Sequence, residues 1–481
     1  MTPVVTPIEM AEIDAAAPES LEELVERAGR AVARAAIDLL GGAYGRTVNV
    51  LVGKGNNGAD GRVAARHLER RGVRVRLIDA AMRPPILARC DLVVDAAYGT
   101  GFRGEWIAPD VGDALVLAVD VPSGLDALTG AAGPGVLAAD RTVTFQALKP
   151  GLLLRRGPEL SGSIEVADIG LDVSGATQHL VGPADVAAWW PRRRIDAHKW
   201  NAAVKIIAGS AEMPGAAVLC SSAAARAGAS LVSVSSPGTR MPGVLGAGAM
   251  GPGVMAPGYD VATPPEVVQR HVAATDFATD ALVDIHRFGS LVIGPGLGRD
   301  DAVLMSARAC IADATVPLVI DGDGLFASAW SSEGAAPLLR SRELATVLTP
   351  HDGEFANLTG AAPGPDRVAS LRATADDFDT TILLKGATTL VASPRAHDDD
   401  RTDLAGPVWF VDHGDQRLAT AGTGDVLAGI IGALLAAGLD PGRAAAAAAW
   451  VHAEAGHRCL RHGLVAGDLV ERLPYVVEDL A

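Results

Sequence analysis

Val48-Asn49-Val50-Leu51-Val52, followed by Gly53-Lys54-Gly55-Asn56-Asn57-Gly58, is the stretch on which the fold turns. The short β-branched run predicts a strand and the closely spaced glycines a tight turn. The pattern over residues 62–71 then has helical periodicity, and 73–78 reads as a second strand. Together these make one βαβ unit. Apolar runs at 92–94, 115–119 and 143–145 continue the alternation, which predicts a mainly parallel sheet with helices on both faces, a doubly wound α/β domain. Upstream, Ser20-Leu21-Glu22-Glu23 has the form of a capping box. Leu21, Leu24, Val25, Ala28 and Val32 follow at helical spacing, so an amphipathic helix precedes the sheet.

The chain has 481 residues, more than one hydrophobic core usually serves, so at least two domains are expected. Near 183–199 the alternation breaks into Trp189-Trp190-Pro191-Arg192-Arg193-Arg194, too charged and proline-marked for a central strand, and the boundary is placed near residue 185. Beyond it, strands are expected at 205–208, 231–234, 291–293, 318–320, 346–348 and 382–384, a second α/β unit. The Gly, Pro and Met-rich run 237–258 and the acidic run 397–403 lack apolar periodicity and read as surface loops.

Every long apolar run is interrupted well before the roughly 18 residues a membrane span needs, so a soluble chain with no membrane partner is expected. The first basic residue, Arg27, lies behind Glu9, Glu12 and Asp14, the wrong charge order for a secretory signal. Cys90, Cys220, Cys310 and Cys459 lie far apart, which fits reduced, buried thiols in a cytoplasm. A formal charge of −16 repels polyanions and an aromatic content of 4% offers few stacking platforms, which argues against nucleic acid. A phosphate-bearing ligand would therefore be held by backbone N–H groups and a few side chains.

The Gly53 to Gly58 run satisfies G-x-G-x-x-G, and Asp79 ends the next strand, the pattern of a dinucleotide-binding dehydrogenase. Against that reading, Asp60 would fall in the first helical turn, where its carboxylate competes with a pyrophosphate. A glycine turn capped by asparagines explains the run without any ligand. Asp95 and Asp120 also stand at strand ends, and in a parallel sheet these loops converge on the crevice where open α/β sheets bind ligands. Each Asp could also do no more than cap its own loop.

Over nearly all of residues 1–185 the sequence resembles the NAD(P)H-hydrate epimerase family, through residues 53–61, Gly99-Thr100-Gly101-Phe102-Arg103-Gly104-Glu105 and Asp120-Val121-Pro122-Ser123-Gly124-Leu125-Asp126. The resemblance implies that Asn57, Asp95 and Ser123 help to coordinate a potassium ion (K+), oxygen donors suiting a hard cation. It implies that Asn56, Asn57, Gly58, Ala59, Asp60, Gly99 through Glu105 and Asp120 contact the hydrated cofactor. Asp120 is the choice for proton transfer, since epimerising a carbon that bears a hydroxyl and a ring nitrogen needs an acid/base group beside it. Ala59 stands where the family usually has glycine, so the turn must shift if that position needs a positive φ.

In the second unit Ala421-Gly422-Thr423-Gly424-Asp425 opens the apolar stretch 426–439, placing a glycine turn at a helix N-terminus whose free N–H groups can cradle a phosphoryl group. Thr423 as an N-cap and Asp425 as a favourable dipole charge form the ligand-free reading, which leaves both glycines unexplained. An Asp beside bound phosphate is repulsive unless it accepts a proton from an attacking hydroxyl.

This segment resembles the ribokinase-like superfamily, and residues 186 onward resemble its ADP-dependent NAD(P)H-hydrate dehydratase branch. The supporting motifs are His198-Lys199, Pro214-Gly215-Ala216-Ala217, Gly294-Pro295-Gly296-Leu297-Gly298, Leu348-Thr349-Pro350-His351-Asp352-Gly353-Glu354-Phe355, Lys385-Gly386-Ala387-Thr388-Thr389 and Gly424-Asp425. The fold implied is a Rossmann-like doubly wound domain followed by a ribokinase-like α/β domain. Lys385, Gly386, Ala387, Thr388, Thr389 and Gly424 would contact the adenine nucleotide. Ala216, Gly296, His351 and Asp425 would line the hydrate pocket, although a surface or N-capping role accounts for His351 equally well. Asp425 would be the base, with ADP, accompanied by Mg2+, as the phosphoryl donor, and a homo-oligomer, such as a tetramer, is expected. Trp200-Asn201-Ala202-Ala203 and Asp321-Gly322-Asp323-Gly324-Leu325-Phe326 depart from the family's usual sequences, the acidic pair surviving.

Two other readings stay open on sequence. One is a ribokinase-like small-molecule kinase fused to a redox Rossmann domain; the other makes the first domain a non-catalytic ligand-binding or assembly module.

Overall fold

The computed structural model describes residues 1–239, 263–395 and 406–480. Most of the run 237–258 and the whole acidic run 397–403 lie outside the described residues; Pro237 itself ends the strand Leu231–Pro237. The chain divides into two compact units, Thr2–His179 and Leu180–Ala481. The division falls slightly before residue 185 because the helix Pro183–Trp189, its first turn closed by Asp185 on the Gly182 N–H, packs against the helix Pro441–His457 of the second unit.

In the first unit, Ser20 caps the helix Leu21–Leu40 and Glu23 returns the bond to the Ser20 N–H, the reciprocal box read from the sequence. A second box, Thr6 with Glu9, starts the helix Pro7–Ala16, which sequence reading missed. Val32, Ala35 and Ala36 are fully buried, and at about 1.5–3 kcal/mol for a buried Val or Leu this face, more than propensity, holds the long helix in place. The six strands lie in the order Arg74–Asp79, Thr47–Val52, Leu92–Ala96, Leu115–Val119, Arg141–Phe145, Ser163–Ala167, all parallel. The last strand is polar and was not expected.

Helices Leu21–Leu40 and Asn56–Arg70 cover the face carrying Val50, Val94 and Leu117. The other face, with Leu51 and Val93, is covered chiefly by Leu87, Trp106 and the short 3₁₀ turn Ala80–Met82. The connections after Ala96 and Val119 carry Gly99, Gly101, Gly104, Gly124 and Gly130, which is why they cross that face as loops and not as helices. Gly58 is required by close approach: a Cβ there would lie 2.1 Å from the Gly53 carbonyl oxygen. Ala59 fits without a shift, since it lies inside the helix Asn56–Arg70 and its N–H donates to Gly55 O at 3.1 Å.

In the second unit the strand order is Val408–Val411, Thr389–Ala392, Thr381–Leu384, Thr346–Leu348, Leu318–Ile320, Ser290–Ile293, Ala203–Ile207, Leu231–Pro237, Val267–Val272. Pairing is parallel except at the first two strands, which run antiparallel to their neighbours as hairpins. Three of these strands, Val267–Val272, Thr389–Ala392 and Val408–Val411, were not read from the sequence. Helices Pro214–Arg226, Thr423–Ala436, Pro441–His457 and Ala466–Glu478 share one core with the Val204, Ile206 and Val292 side of the sheet. Helix Thr423–Ala436 is buried nearly all round, in keeping with its unbroken apolar sequence. Among the described residues no helix is long and apolar enough to cross a membrane. The four cysteines are free thiols, three of them buried.

Candidate active sites

Strand order reverses within each unit's sheet, and in open α/β sheets the crevice beyond the carboxyl ends at such a reversal is where ligands bind. In the first unit the reversal lies between Thr47–Val52 and Leu92–Ala96. Above it is a cavity of about 820 Å³ lined by Asn56, Asn57 and Asp60 from one helix, by Gly99, Thr100, Gly101, Phe102 and Arg103 from the loop, and by Asp120 and Lys149. Gly58, Ala59, Gly104 and Glu105 are not among the lining residues. Asp79 caps the 3₁₀ turn through the Ala81 N–H at 2.9 Å and is likewise absent from the lining, which removes the acidic residue of the dehydrogenase pattern from this site.

Asp60 lies beyond the first turn of the helix that opens at Asn56. Burial, then the nearby Asp120 and Asp14 charges, push its carboxyl up to about 8. It is therefore largely uncharged at neutral pH, so the repulsion expected from the sequence is absent.

Asp95 is fully buried at the end of its strand. It accepts from Ser123 Oγ at 2.6 Å, Ser123 N at 2.9 Å and Ala97 N at 3.4 Å. Ser123 Oγ in turn accepts from the Tyr98 N–H at 2.9 Å. Burial raises the Asp95 carboxyl, against the pull of these bonds. Beside this cluster, both polar side-chain atoms of Asn57 are buried with no protein partner. A buried carboxylate, a hydroxyl and an orphaned amide oxygen suit a hard monovalent cation.

Asp120 has a φ of 67° and sits at a strand end, where its N–H donates to Val143 O at 2.7 Å. Its Oδ1 lies 2.7 Å from Lys149 Nζ and accepts from Thr144 Oγ1 at 3.1 Å. Lys149, 1% exposed, was missed by sequence reasoning.

In the second unit the reversal lies between Ala203–Ile207 and Ser290–Ile293. Gly209 N donates to Pro295 O at 2.7 Å across it. Gly296 and Ala216 face each other so closely that a Cβ on Gly296 would lie 2.7 Å from the Ala216 Cβ. Asp323 accepts from Gly298 N and Arg299 Nε, both at 2.8 Å, and so anchors the loop that carries Gly296.

The glycine turn is formed as expected: Gly422 has a φ of 89°, left-handed, and Thr423 begins the helix. Thr423 is not the N-cap; its hydroxyl donates to the chain behind it, Leu418 O at 2.7 Å or Thr420 O at 2.9 Å. Burial, with the Asp321 charge adding and Lys385 opposing, pushes Asp425 up to about 7. Lys385 Nζ lies 3.0 Å from Asp321 Oδ1 and 3.4 Å from Glu354 Oε2. Burial lowers its affinity for a proton, but these two carboxylates more than offset that and the ammonium is held. A Cβ on Gly424 would sit 3.7 Å from Lys385 Nζ, so the cation lies at the helix N-terminus. Gly386, Ala387 and Thr388 form the hairpin turn before the strand that starts at Thr389.

His351 is the N-cap of the helix Asp352–Thr359. Its Nδ1 accepts from Gly353 N at 3.0 Å and Glu354 N at 3.2 Å, and its side chain stays 60% exposed. Sequence reading also gave no role to His452, which is buried in a polyalanine helix. Burial pushes it down to about 4, so it stays neutral and its Nε2–H donates to Thr423 O at 2.9 Å, bracing the turn from below.

Comparison with known proteins agrees with this division. A family model described as NAD(P)H-hydrate dehydratase matches residues 204–474, and one described as YjeF-related protein N-terminus matches 21–87 and 78–151. A bifunctional NAD(P)H-hydrate repair enzyme of Moorella thermoacetica is 34% identical over 95% of this chain and 92% of its own. That of Mycobacterium leprae is 37% identical over 86% of this chain and 84% of its own. A ribokinase-like superfamily protein of Enterococcus faecalis superposes with a TM-score of 0.50 at 22% identity, covering 65% of this chain and 99% of that one, which shows the fold alone. On the strength of relatives matched along nearly their whole length, the chain belongs to the family of bifunctional NAD(P)H-hydrate repair enzymes.

Proposed function

We propose that residues 1–185 interconvert the R and S hydrates of NADH and NADPH, and that residues 186–481 dehydrate the S form with ADP. The observation that carries the reading is the presence of two strand-end sites in one chain, each with a strand-end Asp ion-paired to a Lys, Asp120 with Lys149 and Asp321 with Lys385.

In the first site Asp120 is the proton-transfer group and the loops around Asn56 and Gly99 receive the hydrate. Asn57, Asp95 and Ser123 would hold a potassium ion in this unit, whose charge would offset that of the buried Asp95 carboxylate. In the second site Gly424 and the turn Lys385, Gly386, Ala387, Thr388 and Thr389 hold the nucleotide with Mg2+, and Ala216, Gly296 and His351 border the hydrate. Asp425 takes the proton of the hydrate's hydroxyl. The oxygen attacks the terminal phosphate of ADP and AMP leaves. The C–O bond then breaks, the ring nitrogen supplying the electron pair and phosphate leaving, and loss of a proton from the adjacent ring carbon restores the dihydropyridine. Cytoplasmic location and a homo-oligomeric state belong to the same proposal.

The test is product analysis. ADP and S hydrate should yield AMP, phosphate and reduced cofactor in equal amounts. Accumulation of a stable phosphorylated product would make the second unit a kinase.

A further inference from the structure

Lys149 lines the first cavity although neither the sequence motifs nor the proposed chemistry calls for it, and its ammonium is held on several sides. Its ammonium lies 2.7 Å from Asp120 Oδ1 and donates to Thr144 Oγ1 at 3.0 Å, Phe145 O at 3.2 Å and Ala147 O at 3.3 Å. Thr144 is itself fully buried and its hydroxyl donates a hydrogen bond to Asp120 Oδ1 at 3.1 Å. One carboxylate oxygen is thus anchored twice. The other, Oδ2, faces Gly99, where an added Cβ would sit 3.4 Å from it and 3.4 Å from Asn57 Cγ. Among the described residues no donor reaches Oδ2. It is the oxygen left for a ligand in the cavity.

A buried ammonium with one carboxylate partner is a costly arrangement that a packed apolar side chain would avoid, so stability alone does not account for it. We propose that Lys149 is a positioning residue for epimerisation: it holds Asp120 by Oδ1 as a carboxylate and turns Oδ2 toward the hydrate. The proposal rests on the epimerase reading of the first unit.

Other carboxyl groups set its electrostatic task. Asp14 on the helix Pro7–Ala16, Glu19 ahead of the next helix and Asp60 on Asn56–Arg70 all line the same cavity, with Arg103 on the loop. Burial and mutual repulsion keep Asp60 protonated, and Lys149 eases the same pressure on Asp14. Without the ammonium, Oδ1 of Asp120 would be held by Thr144 alone.

The experiment measures kcat and KM for R-to-S conversion by the full chain, with dehydration of pure S hydrate as the control for the second unit. In Lys149→Met kcat should fall at least about tenfold while KM for the R hydrate changes less than about twofold, because the oxygen that meets the hydrate loses its aim while the loops that receive the hydrate stay in place; Lys149→Arg, which keeps a cation on Oδ1, should recover part of kcat. Unchanged kcat, or a loss carried by KM alone, overturns the proposal. If wild type does not epimerise at all, the proposed function fails first, a separate result. Should Lys149→Met not fold, Asp120→Asn carries the test: it strands the buried ammonium, so Asp120→Asn/Lys149→Met should be at least as stable as Asp120→Asn alone. A less stable double variant overturns the pairing.

Discussion

Replacing Asp425 by Asn should trade activity for stability, and the structure gives the size and sign of both. Burial and the Asp321 charge lift this carboxyl from 3.8 to about 7. At about 1.36 kcal/mol for each tenfold change in acidity, that corresponds to about 4 kcal/mol, a ceiling because a native site relaxes and admits water. The native carboxyl keeps its proton up to about pH 7, whereas the unfolded one loses it near 3.8. The folded state therefore binds more protons across that interval, and its stability falls as the pH rises through it. Asn is neutral and nearly isosteric, so the variant should match wild type in stability near pH 4 and exceed it by about 1–4 kcal/mol above pH 7. Activity runs the other way. As the base, Asp425 must be ionised in the free enzyme, so wild-type kcat/KM should rise about tenfold between pH 6 and pH 8, and the variant should lose about 10²–10⁴-fold. Urea unfolding at several pH values and dehydration kinetics on pure S hydrate measure the two effects. A variant that turns over normally, or one that is no more stable than wild type at pH 8, would refute the reasoning.

Asp120→Asn should abolish R-to-S conversion while leaving dehydration of pure S hydrate intact; retained conversion, measured by chromatography that resolves the epimers, would remove Asp120 from the mechanism. Exchanging potassium for lithium or caesium should slow the first reaction alone, because in the proposed site Asn57, Asp95 and Ser123 would have to close around an ion of another radius; equal epimerisation rates in all three salts would count against the ion. Fragments 1–179 and 180–481, cut where the two compact units divide, should each fold, as judged by cooperative unfolding and by separate activities; failure of both, with one transition for the whole chain, contradicts the two-domain reading.

What could be read in the sequence followed from interrupted patterns. Asp95 and Asp120 broke apolar runs at strand ends, and the parallel sheet brings the loops that follow Val52, Ala96 and Val119 to one cavity. The glycine turn before Val426 was visible because it precedes an apolar helix with no polar face. Lys149 was not legible: between Leu148 and Pro150 it looks like a surface lysine, and it is buried only because the chain, with Gln146 at a φ of 60°, folds back beneath Asp120. His452 was hidden for a similar reason, since a lone His in an alanine-rich helix gives no sign of which side it faces. Strand Val267–Val272 was lost because Gln269, Arg270 and His271 erase the alternation on an edge strand, and the loops over one face of the first sheet because parallel order says which strands pair, not what covers them.

One chain should recover both epimers, and the direct test is purified protein incubated with racemic hydrate, ADP, Mg2+ and potassium while the absorbance of the reduced cofactor is followed. R and S hydrates should both be consumed to completion, with one AMP and one phosphate for each cofactor restored. Consumption that stops when the S hydrate is exhausted, at a rate no faster than uncatalysed epimerisation allows, would contradict it.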